Sequence, residues 1–127
     1  AAALERVSRL TQRPGFIAVV SDFRERDGWE RPLIRMGHRH ALCCVEVRDP
    51  REGALPAVGR IHMADPETGH VIEVDTSDED LRRRYAAAES GRREALVTTF
   101  RRARALHIDL STADDWLRGM GRGLAPR

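Results

Sequence analysis

Phe16-Ile17-Ala18-Val19-Val20-Ser21-Asp22 is the stretch on which the fold turns. Five consecutive apolar residues running into a serine and an aspartate predict a strand buried on both faces of a parallel sheet, since a half-solvated strand would alternate. Ala41-Leu42-Cys43-Cys44-Val45-Glu46-Val47, closed by Asp49-Pro50, predicts a second strand of the same kind. Between them, Trp29 to Arg39 carries Leu33, Ile34 and Met36 at helical spacing. Pro32 falls in the first turn of that segment, where a missing N–H does no harm. A helix between two strands is a crossover, and crossovers join parallel strands.

Upstream, Leu4, Val7 and Leu10 give Ala2 to Gln12 one apolar face, and Pro14-Gly15 stops that helix. It has no capping residue in front of it, so the sequence reads as cut from a longer chain. Downstream, Arg60 to Met63 and His70 to Val74 flank Asp65-Pro66-Glu67-Thr68-Gly69, which predicts a β-hairpin. Thr76 with Glu79 and Ser77 with Asp80 predict overlapping capping boxes ahead of the longest helix, which runs to Ala103. Leu106 to Leu110 predicts a short last strand, and Ser111 with Asp114 predicts the cap of a terminal helix carrying Trp116, Leu117 and Met120. Gly119-Met120-Gly121-Arg122-Gly123 predicts a fraying end to that helix. The order α, β, α, β, hairpin, α, β, α predicts one α/β domain over residues 1–127. It is a partial Rossmann-like layered sheet, mainly of parallel strands plus a β-hairpin, with helices on both faces.

Composition narrows the function classes. The 127 residues hold 22 basic and 20 acidic groups, a formal net charge of +2, and every basic residue is arginine. Near-balanced charge argues against a nucleic-acid interface, and Arg82-Arg83-Arg84, Arg92-Arg93 and Arg101-Arg102 predict a solvated helix face. The apolar runs are too short to span a bilayer, and charges at Glu5, Arg6 and Arg9 break any signal-peptide core in the first ten residues. Adjacent Cys43 and Cys44 point to opposite sides of a strand, which disfavours a disulfide between them and predicts a reducing, cytoplasmic setting.

In an open α/β sheet, ligands bind beyond the carboxyl ends of the strands. Asp22 follows the first predicted strand, Asp49 the second, and Asp109 lies within the last. Carboxylates on neighbouring strand ends would share a hard divalent cation, which makes a Mg-dependent phosphoryl-transfer or hydrolase-type enzyme the alternative reading. That reading lacks a phosphate-cradling glycine loop, a lysine and an identified nucleophile. His38, His40, Cys43 and Cys44 suggest zinc only superficially, because strand alternation separates the two thiols. Asp109-Leu110-Ser111-Thr112-Ala113 falls one residue short of Asp-x-Ser-x-Ser, with Ala113 where the last hydroxyl ligand would stand. No catalytic and no cofactor-binding residue is assigned.

Several blocks, taken in order, carry a family resemblance. They are Phe-Ile-Ala-Val-Val-Ser-Asp-Phe at 16–23, Arg-His-Ala-Leu-Cys-Cys-Val-Glu-Val-Arg-Asp-Pro-Arg-Glu at 39–52, Leu55-Pro56, Val58-Gly59, Asp65-Pro66-Glu67-Thr68-Gly69, Val74-Asp75-Thr76-Ser77, Leu110-Ser111-Thr112 and Asp115-Trp116-Leu117. Together they resemble the C-terminal part of a bacterial domain-of-unknown-function family. Its members contain a von Willebrand factor A-like domain and are typically encoded beside MoxR-type AAA ATPases. The resemblance implies a protein–protein interaction module without catalysis of its own, partnered by a MoxR-type ATPase in assembly or metal-insertion tasks.

In von Willebrand A domains a divalent ion is held by Asp-x-Ser-x-Ser after the first strand, a threonine from a later loop and an aspartate after the fourth strand. Asp22, in Val-Val-Ser-Asp, matches only that last aspartate. The resemblance therefore implies an incomplete, weak metal site of Asp22 with Ser21, no cofactor in this chain, and Mg²⁺ in the full-length protein. It also implies a cytoplasmic segment of a membrane-associated full-length protein, with no nucleic-acid or membrane contact of its own. With the upstream strands missing, Phe16 to Val20 would expose an apolar edge, which predicts a homodimer through that edge or the uncovered sheet face.

Overall fold

The two apolar runs become neighbouring parallel strands in the computed structural model, which describes residues 2–25, 28–64 and 68–125. In chain order the elements are α1 (Ala2–Leu10), β1 (Phe16–Ser21), α2 (Glu30–Gly37), β2 (Ala41–Arg48), a 3-10 turn (Pro50–Gly53), β3 (Arg60–Ala64), β4 (Val71–Asp75), α3 (Glu79–Arg102), β5 (Leu106–Ser111) and α4 (Trp116–Leu124). They sort into two compact units, one of Ala1–Asp49 with Arg93–Arg127 and one of Pro50–Arg92.

The first unit is built on a three-stranded parallel sheet in the order β1-β2-β5, with Phe16 beside Ala41 and Cys43 beside Leu106. β2 is central, and Leu42 to Glu46 are buried without a break, as a continuous apolar run requires. β1 departs from the expectation of burial on both faces: its residues alternate between exposed and half-buried. The apolar run in β1 does not distinguish a central strand from an edge strand, and β1 ends the sheet with Phe16 67% and Val20 64% exposed.

One face of the sheet carries Ile17, Val19, Leu42 and Cys44 into a core with Phe23, Trp29, Leu33, Met36, Leu96, Phe100 and Ala103. Phe23 meets the Phe100 ring edge-on at a centroid distance of 4.9 Å and tilts against Trp29 at 5.3 Å, arrangements that suit the aromatic quadrupoles. α2 crosses this core closely because Gly37 has no side chain; a Cβ there would meet the Ala103 carbonyl oxygen. The opposite face gathers Cys43, Val45, Ile108 and Leu110 against Met120 of α4. Helices thus lie on both faces, and the two cysteines enter different clusters, as strand alternation demands.

The glycine run at 119–123 does not fray. It lies inside α4, where a Cβ on Gly119 would sit 2.8 Å from Leu110 Cδ2 and one on Gly123 2.8 Å from Ile108 Cγ1. Bare backbone at these two positions lets the helix press directly on β5. Its cap is Asp115 rather than the expected Ser111–Asp114 pair: Asp115 Oδ1 accepts the N–H groups of Leu117 at 3.0 Å and Arg118 at 3.2 Å. Ser111 Oγ instead accepts the Ala113 N–H at 3.2 Å, holding the turn that precedes the helix.

In the second unit, β3 and β4 form the expected antiparallel hairpin, with Ile61 opposite Val74 and Met63 opposite Ile72. Of its predicted turn, residues 65–67 lie outside the described residues. Thr76 is fully buried and fastens the base of the hairpin, donating to the Gly59 carbonyl at 2.6 Å and accepting the Val58 N–H at 3.1 Å. It is therefore not a helix cap. Asp78 caps α3 in place of the expected boxes, its Oδ1 accepting the N–H groups of Asp80 at 2.9 Å and Leu81 at 3.2 Å. Among the described residues no helix is long and apolar enough to cross a membrane.

Candidate functional site

Ser21 and Asp22 stand where the sequence puts them, at the carboxyl end of β1. Ser21 Oγ donates to Asp22 Oδ1 at 3.4 Å and accepts the Phe23 N–H at 3.0 Å, while Asp22 Oδ1 accepts the Arg24 N–H at 3.1 Å. These bonds stabilise a tight turn in which Phe23 takes a left-handed backbone, φ 52°, and swings its ring into the core. A hard cation of the Mg²⁺ type wants about six oxygens. One carboxylate and one hydroxyl, both engaged in the turn, do not furnish that set. Among the described residues no group of three His, Cys, Asp or Glu side chains could hold a metal ion.

Asp109, the third strand-end aspartate considered for a cation, is already taken. Arg48 grips it with two parallel bonds, Nε to Oδ1 at 2.7 Å and Nη2 to Oδ2 at 2.8 Å, and Arg93 Nη2 donates to the same Oδ2. Burial alone would raise its pKa, but the hydrogen bonds from Arg48 and Arg93 outweigh that and hold the carboxyl below the ordinary aspartate range. In return, the bond to Asp109 raises the Arg48 guanidinium above its usual value.

Sequence reasoning missed the centre of this cluster. Glu46 is completely buried in the middle of β2, directly across from Asp109 in the sheet register. Arg93 Nη1 reaches down from α3 to both of its oxygens at 3.3 Å, and His107 Nε2 lies 2.9 Å from Oε2. Two acceptors cannot face each other, so an ionised Glu46 puts the proton on His107 Nε2. The His107 ring packs on Phe100 at 4.8 Å. Two carboxylates meet two guanidiniums, and all four carboxylate oxygens accept a bond within the network. The signal that would have found it was Glu46 itself, a carboxylate inside an apolar strand, which folds only with a partner.

The other sheet face presents a different surface. Val20, Val45, Val47 and Leu110, together with Trp116 and Met120 of α4, line an open groove of about 470 Å³, with Ser111, Thr112 and Asp114 at its rim. Val20 is 64% and Trp116 62% exposed, so this face carries large apolar side chains that nothing among the described residues covers. Neither cysteine, one on each face of the sheet, offers a ready nucleophile: burial pushes the Cys43 thiol up, and burial with the Cys43 charge pushes Cys44 to about 12.

No solved structure matches this chain. All 127 residues align with an uncharacterised protein of Mycobacterium avium at 34% identity, covering 75% of that protein. They also align at 35% identity with uncharacterised proteins of Mycobacterium tuberculosis and Mycobacterium bovis, covering 40% of each. The chain thus spans two fifths of the length of those longer relatives. Residues 1–95, which hold the β1–α2–β2 crossover, Ser21-Asp22, buried Glu46 and Arg93, match a family described as "Protein of unknown function DUF58", and the chain belongs to that family.

Proposed function

We propose that this chain is part of a von Willebrand A-like protein–protein interaction module, without catalysis of its own, that meets its partner through the open face of the β1-β2-β5 sheet. The observation that carries this is the groove flanked by Val20 and Trp116, both nearly two-thirds exposed. Contiguous exposed apolar surface is unfavourable in water and marks interaction sites. The parallel sheet, with Asp22 just beyond β1, agrees with such a module, and the partner proposed is a cytoplasmic MoxR-type AAA ATPase. The alternative, an enzyme using Asp22, Asp49 and Asp109, gains no support from a geometry in which two arginines occupy Asp109.

The test is binding of the purified chain to a purified MoxR-type ATPase from the same genome, followed by interferometry. Val20→Arg with Trp116→Arg should weaken binding at least tenfold while the circular dichroism spectrum stays unchanged. Undiminished binding, or none by the unmodified chain, overturns the proposal.

A further inference from the structure

We infer that the groove beside α4 receives a helix of the partner, apolar along one face and basic where it meets Asp114. The inference deepens the interaction reading above and rests on it. Its first support is the unequal covering of the sheet. On one face, helical residues such as Leu33, Met36 and Phe100 roof the strands, and Leu42 and Cys44 are buried. On the other, α4 roofs Ile108 and Leu110, but Val20 on β1 is left open.

The second support is backbone chemistry. The groove floor of Val45, Val47 and Leu110 offers a partner no hydrogen-bonding groups, so an extended or irregular segment lying there would bury unpaired N–H and C=O groups. A helix satisfies its own backbone. With a diameter of about 10 Å, it is the element that packs beside another helix on a sheet.

The third support is charge. Among the described residues Asp114 is the only charged one lining the groove, and its carboxylate makes no ion pair with any of them. The nearby cation Arg118 is held by Asp115. The opposite face pairs its charges internally through Glu46, Asp109, Arg48 and Arg93, whereas here one carboxylate stands among the apolar side chains that line the groove. The fitting complement is an arginine or lysine at one end of an apolar helical stripe.

The test uses two labelled 18-residue model peptides, a leucine/lysine amphipathic helix and its leucine/glutamate counterpart, titrated with the purified chain by fluorescence anisotropy. The lysine peptide should bind and the glutamate peptide should bind at least tenfold more weakly. Asp114→Asn should cost the lysine peptide about threefold, the scale of one surface ion pair. Val20→Ser and Trp116→Ser, both at exposed positions that do not threaten folding, should each weaken either peptide.

Equal binding of the two peptides overturns the basic-helix assignment, as does indifference to Val20→Ser and Trp116→Ser. A dimer in sedimentation that becomes monomeric with Val20→Ser makes a second copy the occupant and also overturns it. If the ATPase binds through Val20 and Trp116 while neither peptide does, the interaction reading stands and the helix falls. If the lysine peptide binds and the ATPase does not, the groove stands and the choice of partner falls.

Discussion

Arg93 and Glu46, 47 positions apart in the chain, meet so that a single guanidinium nitrogen donates to both carboxylate oxygens at 3.3 Å. The carboxylate is fully buried and the arginine side chain about one-third exposed, so the helix lends the sheet a counter-charge while keeping its own head partly in water.

Removing one member of this pair leaves a buried charge uncompensated. Arg93→Met should lower unfolding free energy by about 3 kcal/mol or more, measured by urea denaturation. The double variant Arg93→Met with Glu46→Leu should recover most of the loss, because a buried pair replaced by apolar residues of similar size is often neutral. A double variant no more stable than the single would show that the fork is not the source of the effect.

Asp109 links stability to acid. Its folded-state pKa lies below the unfolded value, so its contribution is present above about pH 4 and is lost as pH falls through the folded value. Asp109→Asn should therefore flatten the fall in melting temperature between about pH 4 and pH 2. At neutral pH it should lower the melting temperature, since Arg48 and Arg93 lose their shared acceptor. A variant whose acid limb overlays that of the parent would sink this assignment.

The thiols should be silent in the native state. With Cys44 pushed to about 12 and Cys43 also raised, a disulfide-exchange reagent at pH 8 should label neither at an appreciable rate. Both should react within minutes in strong denaturant. Rapid labelling of the folded protein would contradict the burial of β2.

Three glycines of α4 should answer alanine differently. Gly123→Ala puts a Cβ into Ile108 and Gly119→Ala puts one into Leu110, so each should destabilise by about 1–3 kcal/mol. Gly121 has open space around it, and Gly121→Ala should stabilise the helix by up to about 1 kcal/mol. Thermal melts of the three variants check this, and a common sign at all three would refute the packing described.

What could be read from the sequence follows from range. β1, α2 and β2 are local events, set by apolar runs and a proline in a first turn, and they formed where Phe16, Pro32 and Ala41 indicated. Caps were harder to read, because Ser111, Asp114 and Asp115 all offer oxygens within one turn and only backbone direction selects Asp115. Position in the sheet was not readable from the apolar run itself, since Phe16-Ile17-Ala18-Val19-Val20 carries the same signature whether central or at the edge; the exposed edge that β1 shows was implied only by the family resemblance with its upstream strands missing. At the carboxyl edge, the strand-ending Ser21-Asp22 was legible, but its commitment to a turn depends on φ at Phe23. Arg93 was hidden among 22 arginines, since nothing local distinguishes the one that reaches Glu46, a partner met only after the crossover closes.

The left-handed turn after β1 anchors the carboxyl edge. Asp22 and Phe23 are adjacent, Phe23 rests on Phe100, and Phe100 rests on His107, which touches Glu46. The strand tip is thereby tied to the interior of the sheet by one unbroken run of contacts, so the carboxyl edge and the buried Glu46 belong to a single packed network.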